Sequence, residues 1–309
     1  MKIIKDTLDF QIEEDVILSL GKFDGIHKGH SLLMEALREA KGRGLKSVVL
    51  TFSTSPKMHF DHEMKILTTD EEKMRILAEK GIDYVVECPF NDEIMQMQAV
   101  DFLKMLTEHM HVREIVAGTD FRFGHKRQGD YRLLQQCAAE FGYQIRIFEK
   151  KQYEGSDISS TRIRKLLQEG NMKKANMLLG YEYFFLGPVV HGNQLGRTIS
   201  APTANLQPGE NKLLPPFGVY ASHVTVDGRS YNGISNIGKK PTVNGQNPAG
   251  VETYIFDFHE EIYGKELKVS LVEFIRPEKK FASLDELKTQ MRTDIERSRQ
   301  ILEAADGSF

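Results

Sequence analysis

No apolar run in this 309-residue sequence approaches the roughly 18 residues that a bilayer-spanning helix needs. The segment from Met1 to Phe10 mixes lysine, aspartate and apolar residues and lacks the apolar centre of a secretory leader. Cysteine is nearly missing: Cys88 and Cys137 have no CxxC spacing and are too few for a disulfide framework. The expectation is two reduced thiols in a cytoplasmic protein, with no membrane partner. An excess of one charge is also missing. Against 44 Asp and Glu stand 41 Lys and Arg, a formal net charge of −3, so no global positive field points to a nucleic-acid partner. No Gly-Lys-Ser/Thr precedes a helix, which excludes a P-loop kinase.

The composition that remains, 40% hydrophobic and 28% charged, is that of a soluble globular protein. The length favours two domains of roughly 100–200 residues each, and the rhythm of the chain changes near its middle. In the first half, apolar runs at Val16 to Leu20, Ser47 to Phe52, Tyr84 to Glu87, Glu114 to Ala117 and Gln144 to Phe148 alternate with helical stretches. Leu32, Leu33, Ala36, Leu37 and Ala40 recur at helical spacing after the first run, and Gly42 and Gly44 stop that helix. Strand, helix and strand within about 35 residues make a βαβ unit, so an α/β domain with a doubly wound parallel sheet is expected, its ligands outside the carboxyl ends of the strands. Residues 158 to 180 read as two short connecting helices broken at Gly170 and Asn171. Strands and turns follow: Phe184 to His191, Val219 to Val226, Ser230 to Asn236, Val251 to Phe258 and Leu267 to Phe274, with an Asp227-Gly228 hairpin signal. Ser283 and Glu286 form a capping box ahead of a final helix with Leu284, Leu287, Met291 and Ile295 on one face. The second half is therefore expected to be a small antiparallel β-barrel closed by one helix. The boundary is expected at 183/184, giving domains 1–183 and 184–309.

Two groups of residues carry chemistry. Gly21-Lys-Phe-Asp-Gly-Ile-His-Lys-Gly-His30 follows the first strand and opens the first helix. Backbone N–H groups at such a turn favour phosphate. His27 and His30, three apart, can face one anion, and Gly21, Gly25 and Gly29 let the backbone come close. A surface or satisfied core pair is the ordinary reading of two such histidines and a metal-binding pair another, but no further His or Cys lies near at ligand spacing. Ile158-Ser-Ser-Thr-Arg-Ile-Arg164 starts a second helix, where Ser160, Thr161 and Arg164 can reach phosphate oxygens. In the second half, a Gly-rich turn with Gly192, Gly196 and Arg197 can cradle phosphates. Thr203 and Asn205 offer hard oxygen ligands suited to Mg²⁺. Glu252 shares a strand face with Tyr254, Phe256 and Phe258, where a carboxylate is costly unless paired or functional.

The paired helix-start segments resemble the adenylyltransferase module of the bifunctional bacterial riboflavin kinase/FMN adenylyltransferases. Ala117-Gly-Thr-Asp-Phe-Arg-Phe-Gly124 resembles a third motif of that module, lining the nucleotide site. Pro202-Thr-Ala-Asn205, Asn236-Ile-Gly238, Pro241-Thr242, Val251-Glu-Thr-Tyr254 and Arg276-Pro-Glu-Lys-Lys-Phe281 resemble its riboflavin kinase module. The resemblance covers nearly the whole chain in the family's domain order. It implies that riboflavin is phosphorylated to FMN, and FMN is then adenylylated to FAD with loss of pyrophosphate, both steps using ATP and Mg²⁺. It implies nucleotide contacts from Gly21, Phe23, Asp24, Gly25, Gly29, Gly118, Asp120, Ser160 and Thr161. His27, His30 and Arg164 would stabilise charge in adenylyl transfer. Glu252 would be the kinase base, Thr203 and Asn205 the metal ligands, and Asn236 and Arg276 flavin contacts. One departure stands out: the family's usual His-Pro-His-Pro run is Ser53-Thr54-Ser55-Pro56 here. A monofunctional descendant that has lost adenylyl transfer, and a non-catalytic flavin-binding regulator, are the competing readings.

Overall fold

The computed structural model describes residues 1–53, 64–191, 203–239 and 249–306. The chain forms two compact units, Met1–Ser159 and Ser160–Phe309. The first unit is built on strands β1 (Lys2–Lys5), β2 (Ile12–Leu20), β3 (Lys46–Phe52), β4 (Tyr84–Cys88), β5 (Met110–Gly118) and β6 (Gln144–Phe148). They form one sheet in the order β1-β4-β3-β2-β5-β6, with every pairing parallel. Connecting helices α1 (Ser31–Glu39), α2 (Asp70–Glu79), α3 (Ala99–His109) and α4 (Tyr131–Phe141) follow the expected rhythm.

Each helix turns its apolar stripe inward, Leu33, Met34, Ala36 and Leu37 in α1 and Phe102, Leu103 and Leu106 in α3. Strand residues packed from both faces read as continuous apolar runs, and Val16, Ile17 and Leu18 are 0% exposed. The helix ends obey local chemistry. Thr69 and Glu72 form a reciprocal capping box at the start of α2, and Gly44, at φ +81°, ends the turn after α1. The edge strand β1 escapes the sequence pattern because its four residues are half lysine and mostly exposed.

The second unit begins with α5 (Ser160–Gln168) and α6 (Met172–Leu179), separated at Gly170, whose φ is +72°. Strands β7 (Tyr183–Pro188), β8 (Thr203–Leu206), β9 (Gly218–Val226), β10 (Arg229–Lys239), β11 (Ala249–Ile255) and β12 (Glu266–Pro277) make an antiparallel sheet in the order β7-β12-β9-β10-β11-β8. Val190, just beyond β7, bridges Asn205 of β8, so the two edges meet and the sheet curls into a barrel. Asp227 and Gly228 both have positive φ at the β9–β10 turn, as a two-residue hairpin requires. Helix α7 (Leu284–Asp306) lies against Val219, Ala221, Ile234 and Phe256 of the barrel through Ile301 and Leu302.

Two strand expectations change. Thr203–Leu206, absent from the expected strands, is one, and β11 stops at Ile255 rather than reaching Phe258. Asp257 takes φ +55°, which breaks the pleat, and Phe258 instead meets the Tyr231 ring edge-on.

Candidate active sites

In the first unit, the loop after β2 is tightly wound. Phe23 and Ile26, both buried, hold φ of +48° and +37°, and Gly25 holds +85°. Non-glycine residues in that region store strain of about 1–3 kcal/mol each. What holds them is Asp24: its Oδ1 accepts the N–H groups of Leu67 (2.8 Å) and Thr68 (3.2 Å), while Thr68 Oγ1 accepts from Gly25 N–H at 3.1 Å. The carboxylate of Asp24 thus stitches the loop to the segment ahead of α2. Gly21 lies under the Phe23 ring, where a Cβ would come within 3.1 Å.

The two histidines are brought together. Their rings stack with centroids 4.0 Å apart and planes 19° apart. His27 Nδ1 accepts the Gly29 N–H at 3.1 Å, so that nitrogen carries no hydrogen and the ring proton sits on Nε2. Only glycine fits at position 29, because a Cβ would lie 2.7 Å from His27 Nδ1 and 2.8 Å from the Ile158 carbonyl. His30 Nδ1 is buried and has no hydrogen-bond partner. Burial, and secondly the charge of Lys80, lower its pKa to about 4. The residue as a whole keeps some exposure, but the orphaned nitrogen sees no solvent, and that atom sets the direction. His30 is therefore neutral at pH 7.

A pH dependence follows. The folded pKa lies below the unfolded value of about 6.5, so the unfolded chain binds the proton first. Stability from this group is full above pH ~6.5 and falls toward pH ~4, by about 3 kcal/mol in all. In denaturant titrations, the stability of wild type relative to His30→Gln should drop across that window. A constant gap would show that His30 does not titrate this way.

At the carboxyl ends of β5 and β6, Gly118 is followed by Asp120, whose Oδ1 lies 2.9 Å from where a Gly118 Cβ would sit. Lys150 Nζ is 3.1 Å from Asp120 Oδ2 and 3.5 Å from Asp157 Oδ2. Burial alone would lower the Lys150 pKa, but the hydrogen bond and charge of Asp120, then Asp157, outweigh it and raise it above the ordinary value. In the second unit, Ser160 opens α5, Thr161 is exposed and Arg164 half-buried, with Ile163 and Leu167 anchoring the helix.

The other expected residues converge on one wall of the barrel. Glu252 in β11 stands directly opposite Asn205 in β8 and Asn236 in β10. Thr203 Oγ1 donates to Glu252 Oε1 at 2.6 Å. Among the described residues, Glu252 Oε2 makes no hydrogen bond. These strands and α7 enclose a cavity of about 380 Å³. Glu252, Thr203 and Asn236 line one side, and Phe281, Leu287 and Met291 another. The polar strand face under an apolar helix face suits a flat aromatic ligand with a polar tail. Arg276 lines this cavity too, and its guanidinium forks onto Asp294 of α7, Nε at 3.0 Å and Nη2 at 2.7 Å. Gln290 Nε2 also donates to Asp294, at 2.9 Å. Asp294 was not foreseen; a polar residue beside the apolar stripe of α7 is the one trace it leaves in the sequence. Gly192, Gly196, Arg197, Pro202, Pro241, Thr242 and Thr54 to Pro56 lie outside the described residues.

Comparison with known proteins agrees with this layout. The FAD synthetase family profile matches residues 9–162 and the riboflavin kinase profile residues 179–302. The bifunctional riboflavin kinase/FMN adenylyltransferase of Escherichia coli strain K12 is 39% identical over 301 residues, 95% of this chain and 96% of that protein. The protein of the same description from Bacillus subtilis strain 168 is 35% identical, covering 90% of each chain. A Streptococcus pneumoniae crystal structure described as a macrolide-efflux protein superimposes with a TM-score of 0.85 at 34% identity, over 97% of this chain and 99% of that one. Among the described residues, no helix is long and apolar enough to cross a membrane.

Proposed function

The chain belongs to the bifunctional riboflavin kinase/FMN adenylyltransferase family, and on that premise we propose how its residues divide the two reactions. It phosphorylates riboflavin to FMN and transfers AMP from ATP to FMN, giving FAD. The observation that carries the division is that the two residue groups lie in separate compact units, the stacked histidines in one and the Thr203–Glu252 pair in the other.

In the kinase half, Glu252 takes the proton from the riboflavin 5′-hydroxyl as that oxygen attacks the γ-phosphate of ATP. A base is needed there because a neutral alcohol is a poor nucleophile. Thr203 gives its hydroxyl hydrogen to Glu252 Oε1, which leaves the lone pairs of Oγ1 for a cation. Asn205, two residues on along the same strand face, would add an amide oxygen, and the pair would hold Mg²⁺. When bound, Mg²⁺ neutralises phosphate charge. Asn236 and Arg276 position the flavin in the cavity under α7.

In the adenylyltransferase half, the FMN phosphate is already an anion and needs no base. His27 and His30 stabilise charge on the α-phosphate and the departing pyrophosphate. Gly21, Gly25 and Gly29 bring backbone close to the phosphates. We place this work in the cytoplasm, where the two free, buried cysteines stay reduced.

The test is the full chain with riboflavin, ATP and Mg²⁺, FMN and FAD being separated by chromatography, beside a fragment of residues 160–309. The full chain should give both products and the fragment FMN alone. Starting the fragment at Phe184 should cost stability. Asn176 of α6 donates to the Leu271 carbonyl at 2.8 Å and accepts from Tyr183 N–H at 2.9 Å, and Met172, Ala175, Leu178 and Leu179 are buried. FAD from a folded 160–309 fragment would overturn the division.

A further inference from the structure

We propose that Lys150 is a positioning residue for ATP in adenylyl transfer: it cancels one of two carboxylates at the nucleotide mouth while tying the loop of Asp120 to the turn of His27. The proposal rests on the reading of the first unit as the adenylyltransferase. Lys150 lies just past β6, at the ligand-binding edge of the parallel sheet, and has no counterpart among the motif residues. Its Nζ bridges Asp120 and Asp157, at 3.1 and 3.5 Å. Asp120 is folded back against Gly118. Ile158, next to Asp157, sets its carbonyl against Gly29, at a spacing that excludes a Cβ. The chain of contacts therefore runs from the loop after β5, through Lys150, to the backbone that carries His27 and His30.

The electrostatic consequence is separate from the mechanical one. Asp120, Asp157 and Lys150 together carry one net negative charge. Without the ammonium they carry two, beside the place where a polyphosphate must settle. ATP is strongly anionic, so each uncancelled carboxylate there opposes its binding. The α-phosphate chemistry, carried by other groups, is untouched. Losing Lys150 should thus weaken ATP binding without slowing the bound complex.

The experiment measures KM for ATP and kcat for FAD formation from FMN in the full chain, as wild type, K150M, D157N, K150R and K150M/D157N. K150M should raise KM about tenfold at low ionic strength, with kcat little changed and the increase shrinking as salt is added. The double variant restores the wild-type charge of minus one but not the bridge, so KM should return most of the way. K150R should stay near wild type. Riboflavin phosphorylation by the same samples reports folding. An unchanged KM in K150M would overturn the proposal. So would a double variant as impaired as K150M, which would make the lysine a mechanical tie only. If wild type formed FMN but no FAD, the reading of the first unit and this proposal would fall together.

Discussion

Glu252→Gln should lower the rate of riboflavin phosphorylation by roughly 10²–10⁴, the usual cost of removing a general base, and should leave FAD formation from supplied FMN intact. The substitution is chosen for what it preserves. Glu252 Oε1 accepts the Thr203 hydroxyl at 2.6 Å, and a glutamine carbonyl can accept it too. The side chain stays between Asn205 and Asn236, because the register of three strands holds its backbone. Ser235 Oγ lies 2.8 Å from both Ser222 Oγ and Thr253 Oγ1, a fully buried hydroxyl row pinning the same strands from the opposite face. Shape and flavin binding should survive, so the loss belongs in kcat with KM for riboflavin little moved. Only the capacity to take a proton disappears. Chromatography of FMN from riboflavin, with adenylylation as the internal control, makes the measurement. An undiminished kcat would remove Glu252 from the role of base.

Glu252 was legible from the sequence because its chemistry clashes with its surroundings: a carboxylate in an aromatic strand row has to be explained. The parallel sheet was legible for a similar reason, since buried β2 and β3 read as unbroken apolar runs between helical stripes. Strand β8 was not, because its four residues, Thr203-Ala-Asn-Leu206, are too short a run for their polar–apolar alternation to stand out. The strained turn at Phe23 and Ile26 left no mark either. Positive φ at bulky residues is imposed by Asp24 reaching Leu67 and Thr68, more than 40 positions downstream. Lys150 and Asp294 share that property. Each is defined by partners from other elements, whereas motifs show only what lies close along the chain. The cavity is the extreme case: its walls come from β8, β9, β10, β11, β12 and α7, so no window of sequence contains it.

His27→Ala should reduce FAD formation from FMN by about 10²–10³ in kcat, the range for losing one oriented donor to developing charge, while riboflavin phosphorylation is unaffected. The structure gives the donor its orientation. Gly29 N–H fixes His27 Nδ1 as an acceptor, so Nε2 carries the hydrogen. The ring of His30 lies flat against His27 at 4.0 Å and holds that direction. A neutral donor that is already aimed needs no reorganisation when charge grows on the phosphate. Protonating both stacked rings would set two cations face to face, and burial already keeps His30 neutral at pH 7. Activity should therefore not require an imidazolium, and raising the pH from about 6 to about 8, across the ordinary histidine range, should not abolish it. His27→Gln discriminates between donor and cation. Its amide N–H can occupy the place of Nε2–H but can never carry charge. Partial recovery of kcat in His27→Gln relative to His27→Ala supports donation. If glutamine were as inactive as alanine, and wild-type activity fell away as pH rose through the histidine range, the working form would be the cation. The neutral stacked pair would then be only the resting state of the site.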